Sequence, residues 1–333
     1  MTATAVLRVA ACASAWLLVS GCASNARLAE IAAPAGLPPG VDLDATPFHP
    51  QTEHHCGPAA LATVLGAAGR DVAPGALAAE IYVPEREGSL QSEIVAAVRA
   101  RDLLPYQVEP ELGAVLAEVA AGRPVLVLQR LGVGPWPAWH YAVVVGYDTA
   151  ADHVLLRSGK ERRQSLNAGV FDATWERGGR WGLVALEPGV LPAEPDLARY
   201  MGAAAGLEAV GRLDAAEMSY RAAHTRWPDD VLPALGLANV AAARGDWQQA
   251  ERRYRGVLAA HPEQATALNN RAEALRRLGC PNLARAVLAA GLPAVPATDS
   301  LRPALERTLG QIAADTEVQQ ADPPGCSEYP PGR

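Results

Sequence analysis

The sequence predicts an α+β domain with an antiparallel sheet, followed by an all-α array of paired helices. Three observations lead there. Between residues 47 and 188 helical stretches come first and strand-like runs later, an order that suits a sheet of antiparallel neighbours. Three prolines between Pro188 and Pro195 then break any continuing element. Beyond them, small residues, glycines and prolines recur at a fixed 34-residue step in nearly pure helical sequence.

The first residues read as a targeting segment. Arg8 precedes an apolar run from Val9 to Val19, too short to span a bilayer and of the right length for a signal-peptide core. The run ends in Val19-Ser20-Gly21-Cys22, which resembles a lipobox. Residues 1–21 would then be a cleaved signal, and Cys22 the lipidated first residue of the mature chain. Ala23 stands where an Asp would resemble an inner-membrane retention signal, which favours the outer membrane. The expected location is the periplasmic side of a bacterial envelope, with the membrane engaged through acyl chains. Residues 22–46, with Pro34, Pro38 and Pro39 and no sustained periodicity, read as a tether.

Inside the first domain, Gly57-Pro58 opens a helical stretch with Leu61, Val64 and Leu65 on one face. Ser89 is placed to cap a helix carrying Leu90, Ile94, Val95 and Val98, and residues 111–121 read as a third helix. Strand-like runs follow at residues 124–129, 140–147, 153–157 and 181–186.

The chemistry concentrates around Cys56. A helix N-terminus lowers a thiol's pKa through its dipole and free N–H groups, and Cys56 stands where the Gly-Pro helix begins. Gln51, just upstream, offers an amide hydrogen to a developing oxyanion. His140 opens a strand and supplies a base. A cysteine at a helix start with a distant histidine at a strand start is the papain-type arrangement. Adjacent histidines rarely converge on one ion, so His54, His55 and Cys56 are not read as a metal site, and no cofactor is expected.

The string Gln-x4-Cys-Gly-Pro-Ala-Ala-Leu from Gln51, with His-Tyr-Ala-Val-Val-Val-Gly-Tyr-Asp from His140, resembles the bacteriocin-processing (double-glycine) cysteine peptidases and their free-standing relatives. That resemblance covers about residues 46–188. It implies a papain-like fold and peptide or protein substrates, with Cys56 as nucleophile, His140 as base and Gln51 as oxyanion donor. The family's fourth residue, an Asp or Asn that orients the histidine, falls where Ser158 stands. A hydroxyl accepts from an imidazole but carries no charge to stabilise an imidazolium. The best-known members are fused to a transport ATPase; this chain has no Gly-x4-Gly-Lys motif, so a double-glycine substrate does not follow.

In the second half, Gly211, Gly245 and Gly279 keep the 34-residue step, as do Ala204, Ala238 and Ala272, Ala216, Ala250 and Ala284, and Pro228, Pro262 and Pro296. Tyr220 and Tyr254 share that register. The pattern resembles three tetratricopeptide repeats over residues 197–298, which implies a protein partner or substrate on the array. Residues 299–315 read as a solvating cap helix, and residues 316–333, rich in proline, as disordered.

A net charge of -7 without a basic run excludes nucleic acid as a partner. Cys56, Cys280 and Cys326 remain in the mature chain, and an oxidising compartment makes a Cys280–Cys326 disulfide available, although nothing in the sequence fixes their separation. Three functions stay open. The first is a thiol peptidase; the second is a peptidase fold serving as a peptide-binding scaffold; the third is an acyl transferase using the same Cys–His pair.

Overall fold

A computed structural model describes residues 28–51, 55–132, 138–316 and 321–330. Cys22 with its lipobox, and His54, lie outside these residues. The chain divides into two compact units, one of residues up to 97 with 107–184, the other of residues 98–106 with 185–333.

Residues 28–186 form an α+β stretch, most of which is the first unit. Its elements run α1 (Leu28–Ala32), β1 (Gly40–Asp42), α2 (Cys56–Ala67), α3 (Pro74–Ile81), β2 (Tyr82–Val83), β3 (Gly88–Ser89) and α4 (Gln91–Arg99). Then come β4 (Leu104–Gln107), α5 (Leu112–Ala120), β5 (Val125–Leu131), β6 (Ala138–Asp148), β7 (His153–Ser158), β8 (Glu161–Asn167), α6 (Ala168–Arg177) and β9 (Gly182–Leu186). The main sheet has the order β4-β9-β5-β6-β7-β8, with β1 added on β6. Val125–Leu131 and Val143–Asp148 pair antiparallel with their sequence neighbours, as expected of successive strands joined by short connections. Helix α2 is buried at every position from Gly57 to Leu65, so it is apolar all round and central to the core. It packs on β6, the strand that carries His140.

Three expectations are corrected here. Residues 28–46 are not a free tether. Leu28 is fully buried with its N–H donating to Asp152, and Gly40–Asp42 pair with Gly146–Asp148. Elements of five and three residues are too short to show a periodicity, and their partners lie more than a hundred residues away. Ser89 does not cap α4 but ends the β2–β3 hairpin, with its hydroxyl buried and without a hydrogen-bond partner among the described residues. The tail is ordered over residues 321–330. Cys326 is disulfide-bonded to Cys280, and the Asp322 carboxylate accepts from the main-chain N–H groups of Asn282 and Leu283 at 2.9 and 2.8 Å. That carboxylate satisfies donors that a helix N-terminus leaves open, from forty residues downstream.

The second unit is a helical repeat array. First helices α7 (Leu197–Ala209), α9 (Val231–Ala243) and α11 (Ala265–Arg277) begin 34 residues apart, as do second helices α8 (Leu213–Arg226), α10 (Trp247–Ala260) and α12 (Pro281–Gly291). Ala204, Ala216, Ala238, Ala250, Ala272 and Ala284 are completely buried, because a larger side chain at these contacts would hold the helices apart. The turns within the pairs place Gly211, Gly245 and Gly279 at φ of 76, 77 and 79°, a left-handed conformation that glycine adopts without strain. Tyr220 donates to Glu208 and Tyr254 to Asn239, each tying a second helix to its own first helix. Helix α13 (Arg302–Thr316) places Leu305 and Ile312 over Leu268 and Leu288, closing the apolar end of the array as a cap must.

Candidate active site

Cys56 is the first residue of α2 and, among the described residues, the free cysteine. His55 precedes it and gives the helix no side-chain cap. Gly57 allows the wall beside the thiol to close. A Cβ there would stand 2.6 Å from Ser89 Oγ, so only glycine lets the β2–β3 hairpin pack against the helix start. The Tyr141 ring lies on the same spot, and its hydroxyl donates to the Ser89 carbonyl at 3.1 Å.

His140 lies near the start of β6, opposite Gln129 on β5. Its Nε2 is 2.9 Å from Ser158 Oγ at the end of β7. With Nε2 engaged, Nδ1 is the other nitrogen of the ring, and the partner hydroxyl fixes the ring's orientation. Burial lowers the imidazole's pKa below its usual value, favouring the neutral, proton-accepting form.

Gln51 is held from both sides of that pair. Its main-chain N–H donates to the carbonyl of Gly159, the residue after Ser158, at 2.9 Å. Its side-chain Nε2 donates to the carbonyl of Tyr141, the residue after His140, at 3.3 Å. An amide nitrogen has two hydrogens, and among the described residues one of them is engaged by this bond. Upstream of Gln51, the buried Arg157 guanidinium collects the carbonyls of Asp44 and Thr46 at 3.0 and 3.2 Å, which fixes the approach of this segment to the sheet.

The four residues singled out by sequence thus fall in one region. His140 and Ser158 are directly bonded, Gln51 bridges the positions following each, and Cys56 begins the helix packed on β6. The link to the thiol runs through Tyr141, whose phenol pKa is raised by burial and by the nearby Cys56 charge. A cavity of about 300 Å³ opens beside Cys56, walled by Trp139 and Tyr141, by Leu128 and by residues 86–91. It reaches the thiol and both neighbours of His140 but does not include the imidazole itself. The wall formed by residues 82–91 was not legible in sequence, since two-residue strands leave no pattern. Its one signal was Gly57, directly after the nucleophile position.

Comparison with known proteins bears on this domain. Residues 43–181 match the Peptidase_C39 like family. Among solved structures, a putative C39-like peptidase from Bacillus anthracis is similar at 17% identity and a TM-score of 0.38, covering 44% of this chain and 98% of that one. The peptidase domain of Streptococcus ComA, a bi-functional ABC transporter involved in a quorum sensing pathway, is similar at 17% identity and a TM-score of 0.35, covering 43% and 98%. The search of curated proteins gave no match. Over residues 43–181, less than half of the chain, the N-terminal domain is thus similar to the C39-like peptidase family.

Proposed function

We propose that this protein is a thiol peptidase in which Cys56 attacks a peptide carbonyl, His140 carries the proton, Gln51 binds the oxyanion and Ser158 orients the histidine. The observation that carries this reading is the 2.9 Å contact between His140 Nε2 and Ser158 Oγ, which fills the fourth position with a hydroxyl. In the first step the thiol proton passes to His140 Nδ1 as Sγ bonds to the carbonyl carbon. The negative oxygen is met by the free hydrogen of Gln51 Nε2 and by N–H groups at the start of α2. The C–N bond then breaks, the imidazolium protonates the departing amine, and a thioester remains. Water attacks that thioester with His140 again taking a proton, releasing the acid and restoring the thiol. An amine in place of water would make the same acyl-enzyme a transferase.

The scaffold reading keeps one specific support. Ser158 brings no charge and His140 is biased to neutrality, so the thiolate–imidazolium pair is less favoured than beside a carboxylate. Labelling of the purified mature chain with a peptidyl electrophile, wild type against Cys56→Ala, separates the two. Rapid modification confined to Cys56 supports the enzyme, and a thiol no faster than free cysteine leaves the scaffold.

The surroundings belong to the same proposal. Lipid on Cys22 would hold the domain at the envelope membrane, facing the periplasm, and the helical array, read as tetratricopeptide repeats, would hold a protein partner or substrate. Among the described residues no helix is long and apolar enough to cross a membrane.

A further inference from the structure

The cavity beside Cys56 is larger than a substrate with only glycines beside the cut bond would need. About 300 Å³ corresponds to roughly ten waters at ~30 Å³ each, and a pair of glycines brings no side chain to displace them. Its walls are largely hydrocarbon: Leu128 from β5, Tyr141 and Trp139 from β6, and Leu90 after the hairpin. The charged Arg86 and Glu87 in its lining are both exposed to solvent. Leu128 and Tyr141 are direct cross-strand partners, so this part of the wall is a rigid feature of the sheet. Trp139 is 55% exposed although it directly precedes His140. Among the described residues, the Trp139 surface left uncovered beside Cys56 is what a bound side chain would bury.

We propose that this cavity receives an apolar side chain of the substrate adjoining the bond cut at Cys56, so that the preferred peptides carry a branched aliphatic or aromatic residue there and not a double glycine. The proposal rests on Cys56 being the nucleophile, and it adds the substrate class. The hairpin closed against Gly57 makes the difference, since without that wall the thiol would stand at an open edge.

The test uses the full mature chain and two peptidyl vinyl sulfones that differ only in having glycine or leucine next to the electrophile. Leucine is expected to label Cys56 about 10- to 100-fold faster, the range that burial of one such side chain supplies. Trp139→Ala, at an exposed position that tolerates truncation, is expected to narrow that preference. Equal or faster labelling by the glycine probe overturns the pocket assignment while leaving the peptidase reading intact. A leucine preference undiminished in Trp139→Ala overturns it as well, by placing the side chain elsewhere. If Cys56 reacts with neither probe the peptidase reading fails, and calorimetry on Cys56→Ala then judges the pocket alone. Tighter binding of the leucine peptide than of its glycine counterpart supports it, and equal binding overturns it.

Discussion

The imidazole of His140 meets the uncharged hydroxyl of Ser158, and in the proposed mechanism this contact sets the pH behaviour of the site. Burial already lowers the imidazole's pKa, and Ser158 does nothing electrostatic to raise it. A group held neutral this way stays a competent base below its ordinary value of ~6.5. The acid limb of turnover is therefore expected to lie below pH 6.5 in the wild type. Ser158→Asp adds an acceptor that stabilises the imidazolium, so the imidazole should titrate higher and the acid limb should shift to higher pH with it. Ser158→Ala should leave the limb low and reduce turnover, because the ring loses its orienting contact without any change of charge. A pH–rate profile that is identical in all three proteins would remove Ser158 from the mechanism.

At the scale of elements, the contact between the β2–β3 hairpin and the start of α2 decides whether the site has a wall. Gly57→Ala puts a methyl group into Ser89, whose Oγ and Cβ lie 2.6 and 2.7 Å from the new atom. The hairpin has two residues per strand, against the twelve-residue buried helix α2, so it is the side that yields. A loss of about 1–3 kcal/mol is expected, read by thermal melting, together with faster proteolysis within residues 82–90. A melting point unchanged by Gly57→Ala would mean that the hairpin does not depend on this contact. The same contrast explains what the sequence made legible. Helix α2, strands β5, β6 and β7 and the repeat helices announce themselves because their own residues carry a run or a period. The pairing of β1, the short hairpin and the polar edge strand β8 depend on distant partners, and Glu161–Asn167 alternates so weakly in hydropathy that it reads as loop. Within the site, Cys56, Gln51 and His140 stand out through a contiguous motif. Trp139 reads in sequence as core or cleft lining and Tyr141 only as a neighbour of His140, while Leu128 does not stand out, since a wall residue needs only to be apolar and rightly placed.

For the molecule as a whole, the helical unit ends in a covalent closure. The Cys280–Cys326 bond spans 46 residues and is flanked by Asp322 on α12 and by the Arg271 donation to the Pro330 carbonyl at 2.7 Å. Closing a loop of that length restricts the unfolded chain by about 4 kcal/mol in the chain-entropy limit. Cys326→Ser should lower the denaturation midpoint of the helical unit, and dithiothreitol should lower the wild type to match. Equal midpoints for oxidised and reduced protein would show that Asp322 and the apolar contacts suffice.

The glycine turns have a consequence for how this protein can change length. Gly211 and Gly245 share one backbone conformation and one sequence interval, so each is a splice point equivalent to the other. Excising residues 212–245 would join Gly211 to Asp246, the residue whose carboxylate already caps α10. Helix α7 would then face α10 through the same alanine columns, leaving an array one unit shorter whose remaining seams are unaltered. The full chain so shortened is expected to stay helical by circular dichroism, with a smaller denaturant slope in proportion to the surface removed. Excising 30 residues in place of 34 should instead lower the melting point, since the helices at the new junction would lose their alanine contact. The protein is thus divisible at the 34-residue step and brittle at any other.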